Sequence, residues 1–328
     1  MAHGDLSAEA RQGIKEESGV LAKEARPPGT KYPLNIMNKH RGELRHNEPM
    51  SRYTAWGVGG VAASFFEPAN IDDLSYFLAG FPEQESILWL GLGSNLLVRD
   101  GGIRGAVIRT FGLLNDLREV RPGVVRAEAG VASTKLARFC AKRGLGGCEF
   151  LAGIPGTVGG ALAMNAGAFG GEIWAIVKRV ETLDRKGVRR IRKPLDFEVG
   201  YRNVWGPEEE WFVAAEFMLV EKDRESVELE IQELLQCRRK EQPLHMRSSG
   251  SVFRNPPGRY AGYLIEQCGL KGLRMGDATV SDKHANFILS TGAATATDIE
   301  ALIKKVTNIV GRETGVWLVP EVRIVGDK

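Results

Sequence analysis

Residues 152–173 read AGIPGTVGGALAMNAGAFGGEI, with seven glycines, one proline and a single charge at Glu172. Glycine admits positive φ and lets another group approach the backbone with no Cβ in the way. Successive backbone N–H groups turned into a concavity hold a phosphate well. Gly153, Ile154, Pro155, Gly156, Thr157, Gly159, Gly160, Asn165 and Gly167 are therefore candidates for a phosphate cradle, and Ala161, Ala163 and Ala166 leave room for a flat ring. Two other readings stay open on these residues alone. The uncharged run 152–171 is long enough to span a bilayer, although Pro155 and the glycines make a poor helix. The stretch also suits a purely structural packing strip.

Upstream, GLGSNL offers a second glycine loop at Gly91, Gly93, Ser94, Asn95 and Leu96. It departs from a dinucleotide fingerprint because Leu96 replaces the third glycine and no long helix follows. A tight turn between strands is the alternative. Two uncharged glycine loops in one chain suit a large cofactor with a pyrophosphate and a flat ring system.

The chain has 328 residues, 43% of them hydrophobic, enough for two or three domains. Its 44 basic and 41 acidic residues leave a net charge of +3, which argues against a nucleic-acid binder. The charged N-terminus lacks the apolar core of a signal peptide, so a cytoplasmic protein is expected. None of the four cysteines forms a C-x-x-C pair and the five histidines are scattered, so no metal site is expected.

Residues 1–45 read as a flexible lead-in, charged and without apolar period. Ile71, Leu74, Phe77 and Leu78 recur at helical spacing behind an Asn70 cap. The segment from Ser86 to Thr110 reads as two short buried strands around the glycine loop. VVRAEAG, VKRVETLDRKGVRRI and EWFVAAEFMLV are strand-like, with DRKG a turn. Residues 224–243 spell an amphipathic helix ended by Pro243. Another helix follows Thr297, with Thr297 and Glu300 as its capping box. GVWLVPEVRIVG reads as a strand pair. The expected class is α+β.

The two glycine stretches, followed in order by GYRN (200–203), GSVFRNP (250–256), AGYLIEQCGLKG (261–272), SDKHANFI (281–288) and PEVRIVG (320–326), resemble the UDP-N-acetylenolpyruvoylglucosamine reductase family, also called UDP-N-acetylmuramate dehydrogenases. The resemblance covers about 50–326. It implies an FAD-binding fold of the vanillyl-alcohol-oxidase (PCMH) type in two subdomains over 46–222, completed by the C-terminal strand in 315–328. A smaller α/β substrate-binding domain would span 223–314. The short spacing after GYRN matches the form lacking the family's tyrosine-loop insertion.

The implied chemistry is NADPH-dependent, FAD-mediated reduction of UDP-N-acetylglucosamine enolpyruvate to UDP-N-acetylmuramate, a step towards peptidoglycan. FAD would be bound non-covalently, with NADPH as co-substrate. Arg202 matches the arginine that stabilises the developing enolate and carboxylate, a task suited to a bidentate guanidinium. Ser251 matches the proton donor and Glu321 the glutamate that orients the substrate carboxylate. Tyr201, Arg254, Asn255, Lys283 and His284 are candidates for holding the nucleotide sugar.

Three departures stand out. Arg254 replaces a common lysine, Val204 a common serine, and HMRSSGS (245–251) a commoner PSAGS. A solvated loop is the expectation for His245 and Arg247. A monomer acting on a small-molecule nucleotide sugar is expected, without membrane or nucleic acid. A flavin oxidase of the same superfamily often binds FAD through a histidine, yet none lies between His46 and His245. A non-catalytic nucleotide-sugar or flavin-binding module would leave Arg202, Ser251 and Glu321 unexplained.

Overall fold

The computed structural model describes residues 41–328. The lead-in expected at 1–45 lies mostly outside the described residues, and a strand, Glu43–Pro49, already begins within it. That strand pairs antiparallel with Val61–Glu67, which runs parallel to Ile103–Arg109, itself parallel to Ile87–Leu90. The Ser86–Thr110 segment thus holds three strands, Leu96–Val98 being the extra one. Helix Ile71–Gly80 starts where Asn70 accepts from the Asp73 N–H at 2.8 Å. Its Leu74, Phe77 and Leu78 bury against Phe66 and Ile108, and the Phe66 and Phe77 rings stack with centroids 4.0 Å apart.

The second layer is a five-stranded antiparallel sheet in the order Arg189–Arg192, Val177–Asp184, Glu210–Met218, Val124–Glu128, Leu117–Arg121. Side chains alternate between its faces. Val125, Ala127, Val180, Ala215 and Phe217 enter one core. Arg126, Glu181, Glu216 and Arg179 form ion pairs on the opposite face. Leu183 and Val213 join the first sheet's core, so the two sheets share apolar contacts.

The glycine stretch is neither one helix nor a membrane span. It contains the end of a 3-10 turn (Glu149–Gly153), helix Val158–Ala163, and a hairpin pairing Gly167–Ala168 with Gly171–Glu172. Among the described residues no helix is long and apolar enough to cross a membrane.

Helix Arg224–Glu241, expected to open the C-terminal unit, places Val227 and Ile231 in the core of the five-stranded sheet instead. Beyond it, strands Arg274–Met275, Ala278–Val280 and Ile288–Ser290 form a small antiparallel sheet. Helices Ala261–Gln267 and Ala296–Thr314 share its core through Leu264, Ile265, Ile299, Leu302, Ile303, Val306 and Val310. That core also takes in Trp56, Val58 and Leu97 from the first region.

The capping box of the last helix is Thr295 with Asp298, two residues before the expected pair. Thr297 and Glu300 are drawn elsewhere: Thr297 Oγ1 donates to Asp100 at 2.7 Å, and Glu300 pairs with Arg99. Nor do the final residues form a strand pair. Arg323–Val325 pairs in parallel with Leu96–Val98 across 226 or more residues of chain, bringing Glu321 to the first glycine loop.

Candidate active site

The two glycine loops meet. Gly93 has φ +70°, and a Cβ there would fall on the Tyr53 carbonyl oxygen. A Cβ on Gly91 would stand 2.5 Å from Thr157 Oγ1. Ser94 Oγ donates to the Pro155 carbonyl at 2.5 Å. The backbone N–H groups of Leu92, Gly93, Ser94 and Asn95 make no hydrogen bond among the described residues, and neither do those of Gly156 and Thr157. They flank a cavity of about 400 Å³ whose walls include Arg52, Tyr53, Leu92, Ser94, Arg109 and Phe111. Arg109 lies over the Tyr53 and Phe111 rings, 5.4 and 5.6 Å from their centroids, and pairs with Glu67. Unbonded N–H groups, two guanidinium groups and aromatic walls fit a diphosphate joined to flat rings.

The second loop contributes less than its glycines suggest. The N–H groups of Val158, Gly159 and Gly160 are taken by Val131 O, Ala129 O and Thr157 Oγ1 at 2.9, 2.9 and 3.2 Å. Thr157 is the cap of a six-residue helix. The N–H of Ile154 bonds Leu151 O. Asn165, at φ +45°, donates its side-chain amide to Glu172 Oε2 and to the Gly200 carbonyl, at 2.9 and 3.1 Å. Leu96 lies in a strand and is buried. The side chains of Thr157 and Asn165 therefore hold the protein's own turns, and the open N–H groups belong mainly to Leu92–Asn95.

A second cluster adjoins this one. Strands Glu198–Gly200 and Asn203–Trp205 form a hairpin with Tyr201 and Arg202 at its tip. Arg202 sits at φ +55°, an unfavourable conformation for a branched-free but long side chain that the surroundings must hold. Its terminal nitrogens donate to the carbonyls of Asn165 and Gly167, at 3.2 and 2.5 Å. Its Nε lies 3.3 Å from Glu321 Oε1. That Nε and the Nε of Arg254 are both buried without a hydrogen-bond partner among the described residues. Burial pushes the Glu321 carboxyl above its ordinary value, against the opposing pull of Arg202 and then Arg254. Arg202 touches this reluctant carboxyl and Arg254 acts on it electrostatically, leaving positive charge for an incoming anion.

Ser251 lies beside this cluster. The next residue, Val252, accepts from the Glu321 N–H at 2.7 Å, and Arg254 N–H donates to Val319 O at 2.9 Å. Among the described residues no hydrogen bond engages the Ser251 hydroxyl. The fold brings Arg202, Ser251 and Glu321, expected as catalytic, beside Arg254, expected among the nucleotide-sugar contacts. The other substrate candidates are scattered in role. Tyr201 is exposed. Asn255 Oδ1 accepts from Ala261 N–H at the start of a helix. Lys283 Nζ donates to the Arg239 carbonyl near the end of helix Arg224–Glu241. Burial holds the His284 imidazole below its ordinary value. Sequence reasoning missed Arg52, Tyr53, Arg109, Phe111, Ser248 and Gly250 as cavity residues. No local pattern joins them, because distant segments supply them.

The C-terminal domain of UDP-N-acetylenolpyruvoylglucosamine reductase, as a family, matches residues 242–325, and an FAD binding domain family matches 62–191. The chain is 59% identical over 286 residues to the UDP-N-acetylenolpyruvoylglucosamine reductase of Alkalilimnicola ehrlichii, covering 87% of this chain and 96% of that protein. It is 55% identical over 287 residues to the protein of the same name from Methylococcus capsulatus, covering 88% and 94%. The crystal structure of UDP-N-acetylenolpyruvylglucosamine reductase from Thermus caldophilus superposes with a TM-score of 0.75 at 33% identity, covering 87% of this chain and 99% of that one.

Proposed function

The chain belongs to the UDP-N-acetylenolpyruvoylglucosamine reductase family, and from that premise we propose that it reduces UDP-N-acetylglucosamine enolpyruvate to UDP-N-acetylmuramate with NADPH as reductant. It is an oxidoreductase with an FAD-binding domain. FAD, reduced by NADPH, would supply the hydride for the terminal carbon of the enolpyruvyl double bond. The Leu92–Asn95 N–H groups, Arg52 and Arg109 would hold the cofactor's diphosphate.

Hydride addition drives negative charge onto the adjacent carbon and into the substrate carboxylate. Arg202 meets that charge. Its position is held by two carbonyl contacts, so little reorganisation is needed as the charge develops. Arg254 adds a second cation, and Glu321 orients the carboxylate or shares a proton with it. The Ser251 hydroxyl gives a proton to the carbon that carries the charge, completing addition of hydride and proton across the double bond. The carrying observation is Arg202, whose buried Nε lies 3.3 Å from the Glu321 carboxyl without a hydrogen-bond partner among the described residues, with Arg254 bearing on the same carboxyl electrostatically. We assign cofactor binding to 46–222 with strand Arg323–Val325, substrate closure to the C-terminal unit, and the site of action to the cytoplasm.

The test is an absorption spectrum of the purified protein with FAD, before and after anaerobic NADPH. Bleaching by NADPH and recovery of colour on adding UDP-N-acetylglucosamine enolpyruvate are expected. Bleached flavin that stays bleached with that substrate sinks the proposed reaction.

A further inference from the structure

The departure HMRSSGS ends in the serine assigned to proton transfer, and its middle serine has a partner of its own. Ser249 is 5% exposed, and its hydroxyl donates to the Ser94 carbonyl at 2.6 Å across 155 residues of chain. Ser94 belongs to the loop whose N–H groups lie unbonded at the cavity. The residues on either side of Ser249, Ser248 and Gly250, are themselves cavity wall. Gly250 follows at φ +71°, and nothing lies within 4 Å of where its Cβ would be. The bend there is therefore not wedged by packing. Downstream, Val252 is anchored on both sides, its N–H to Asn286 O at 2.8 Å and its carbonyl from Glu321 N–H. Upstream, Arg247 O accepts from Ser290 N–H at 2.9 Å and Ser248 bridges Leu289, so the Ser249–Ser94 bond is the last anchor before Gly250, and Ser251 lies between it and Val252.

We propose that Ser249 is a positioning residue that clamps the proton-donating segment to the cofactor loop, so that cofactor release and proton delivery by Ser251 are governed by one hydrogen bond. This rests on the reading of the cavity as the cofactor site. Release of FAD by parting the Ser248–Gly250 wall from the Ser94 loop would break the Ser249–Ser94 bond. Without that bond Ser249 and Gly250 loosen between the bridged Ser248 and Val252, and the Ser251 hydroxyl samples positions from which it cannot reach the substrate carbon. The Ser94 carbonyl is also left without its donor, which loosens the loop presenting the unbonded N–H groups.

The experiment follows flavin release and turnover in the FAD-loaded enzyme carrying Ser249→Ala. Flavin release is read by the rise in fluorescence on dilution. It should accelerate about 5-fold, the factor carried by one neutral hydrogen bond. Reduction of substrate should slow about 5- to 10-fold in kcat with KM little changed, while bleaching by NADPH keeps its rate. Asp100→Ala is the control. Asp100 joins the same two regions away from the cavity by accepting from Ala296 N–H, Thr297 N–H and Thr297 Oγ1. If Asp100→Ala speeds flavin release as much as Ser249→Ala, general loosening explains both and the clamp is overturned. Unchanged release and unchanged kcat in Ser249→Ala also overturn it. The release measurement does not depend on Ser251, so a Ser251→Ala enzyme of full activity would remove the proton-transfer assignment and leave the clamp on the cofactor loop standing.

Discussion

Two arginine–glutamate pairs join the first region to the C-terminal part of the chain, and they behave in opposite ways. Arg99 meets Glu300 with two hydrogen bonds, Nε to Oε2 at 2.8 Å and a terminal nitrogen to Oε1 at 3.2 Å. Lys304 adds a third cation contact at 2.7 Å. Those bonds draw the Glu300 carboxyl down to about 2. Arg202 instead commits its terminal nitrogens to carbonyls and offers Glu321 only an Nε at 3.3 Å, so burial prevails and the carboxyl rises. The side-chain exposures of the two glutamates are close, 11% and 15%. Deeper surroundings at Glu321 and fuller donor geometry at Glu300 together separate a pair prepared to change partner from a structural latch.

The largest expected effect tests that separation. Arg202→Lys should slow substrate reduction about 1,000-fold, since lysine cannot hold two carbonyls and a carboxylate at once. Arg99→Lys should keep turnover within about 3-fold. Equal losses in stopped-flow turnover would erase the distinction. Ser251→Ala should slow substrate reduction about 100-fold while NADPH still bleaches the flavin at the parent rate. Slowed bleaching would move Ser251 out of proton transfer. Glu321→Gln should lower kcat about 10-fold, and a variant as fast as the parent across the pH range would leave Glu321 no part in orienting the carboxylate.

Stability should respond in reverse. Glu300→Gln should cost about 2 kcal/mol at neutral pH and lower the melting temperature by about 4 °C, whereas Glu321→Gln should shift it by less than about 1 °C. The sign follows from the shifts. Glu300 has a folded value below its ordinary one, so its contribution is full above about 4.5 and fades as pH falls towards about 2. Glu321 is raised, so ionising it weakens the folded state as pH climbs past the ordinary carboxylate value. Melting curves at pH 3 and pH 7 should therefore show the Glu300→Gln difference shrinking in acid. A difference that grows in acid would contradict the assigned direction.

Local pattern was enough for the Asn70 cap, the hairpin turning through Asp184–Gly187, the strand at Val124–Glu128 and the α+β class, because each rests on neighbours in sequence. Motif order was enough for the family and for bringing Arg202, Ser251 and Glu321 into one reading. Tertiary structure decided what spacing cannot express. It moved the capping box to Thr295 and Asp298, because Arg99, 201 residues away, claims Glu300. It assigned helix Arg224–Glu241 to the five-stranded sheet's core through Val227 and Ile231. It also left the Leu92–Asn95 N–H groups unbonded among the described residues while Ala129 and Val131 took those of Gly159 and Val158. A glycine-rich sequence states that backbone can come close; which backbone groups stay open depends on carbonyls delivered by distant strands, and only the folded chain delivers them.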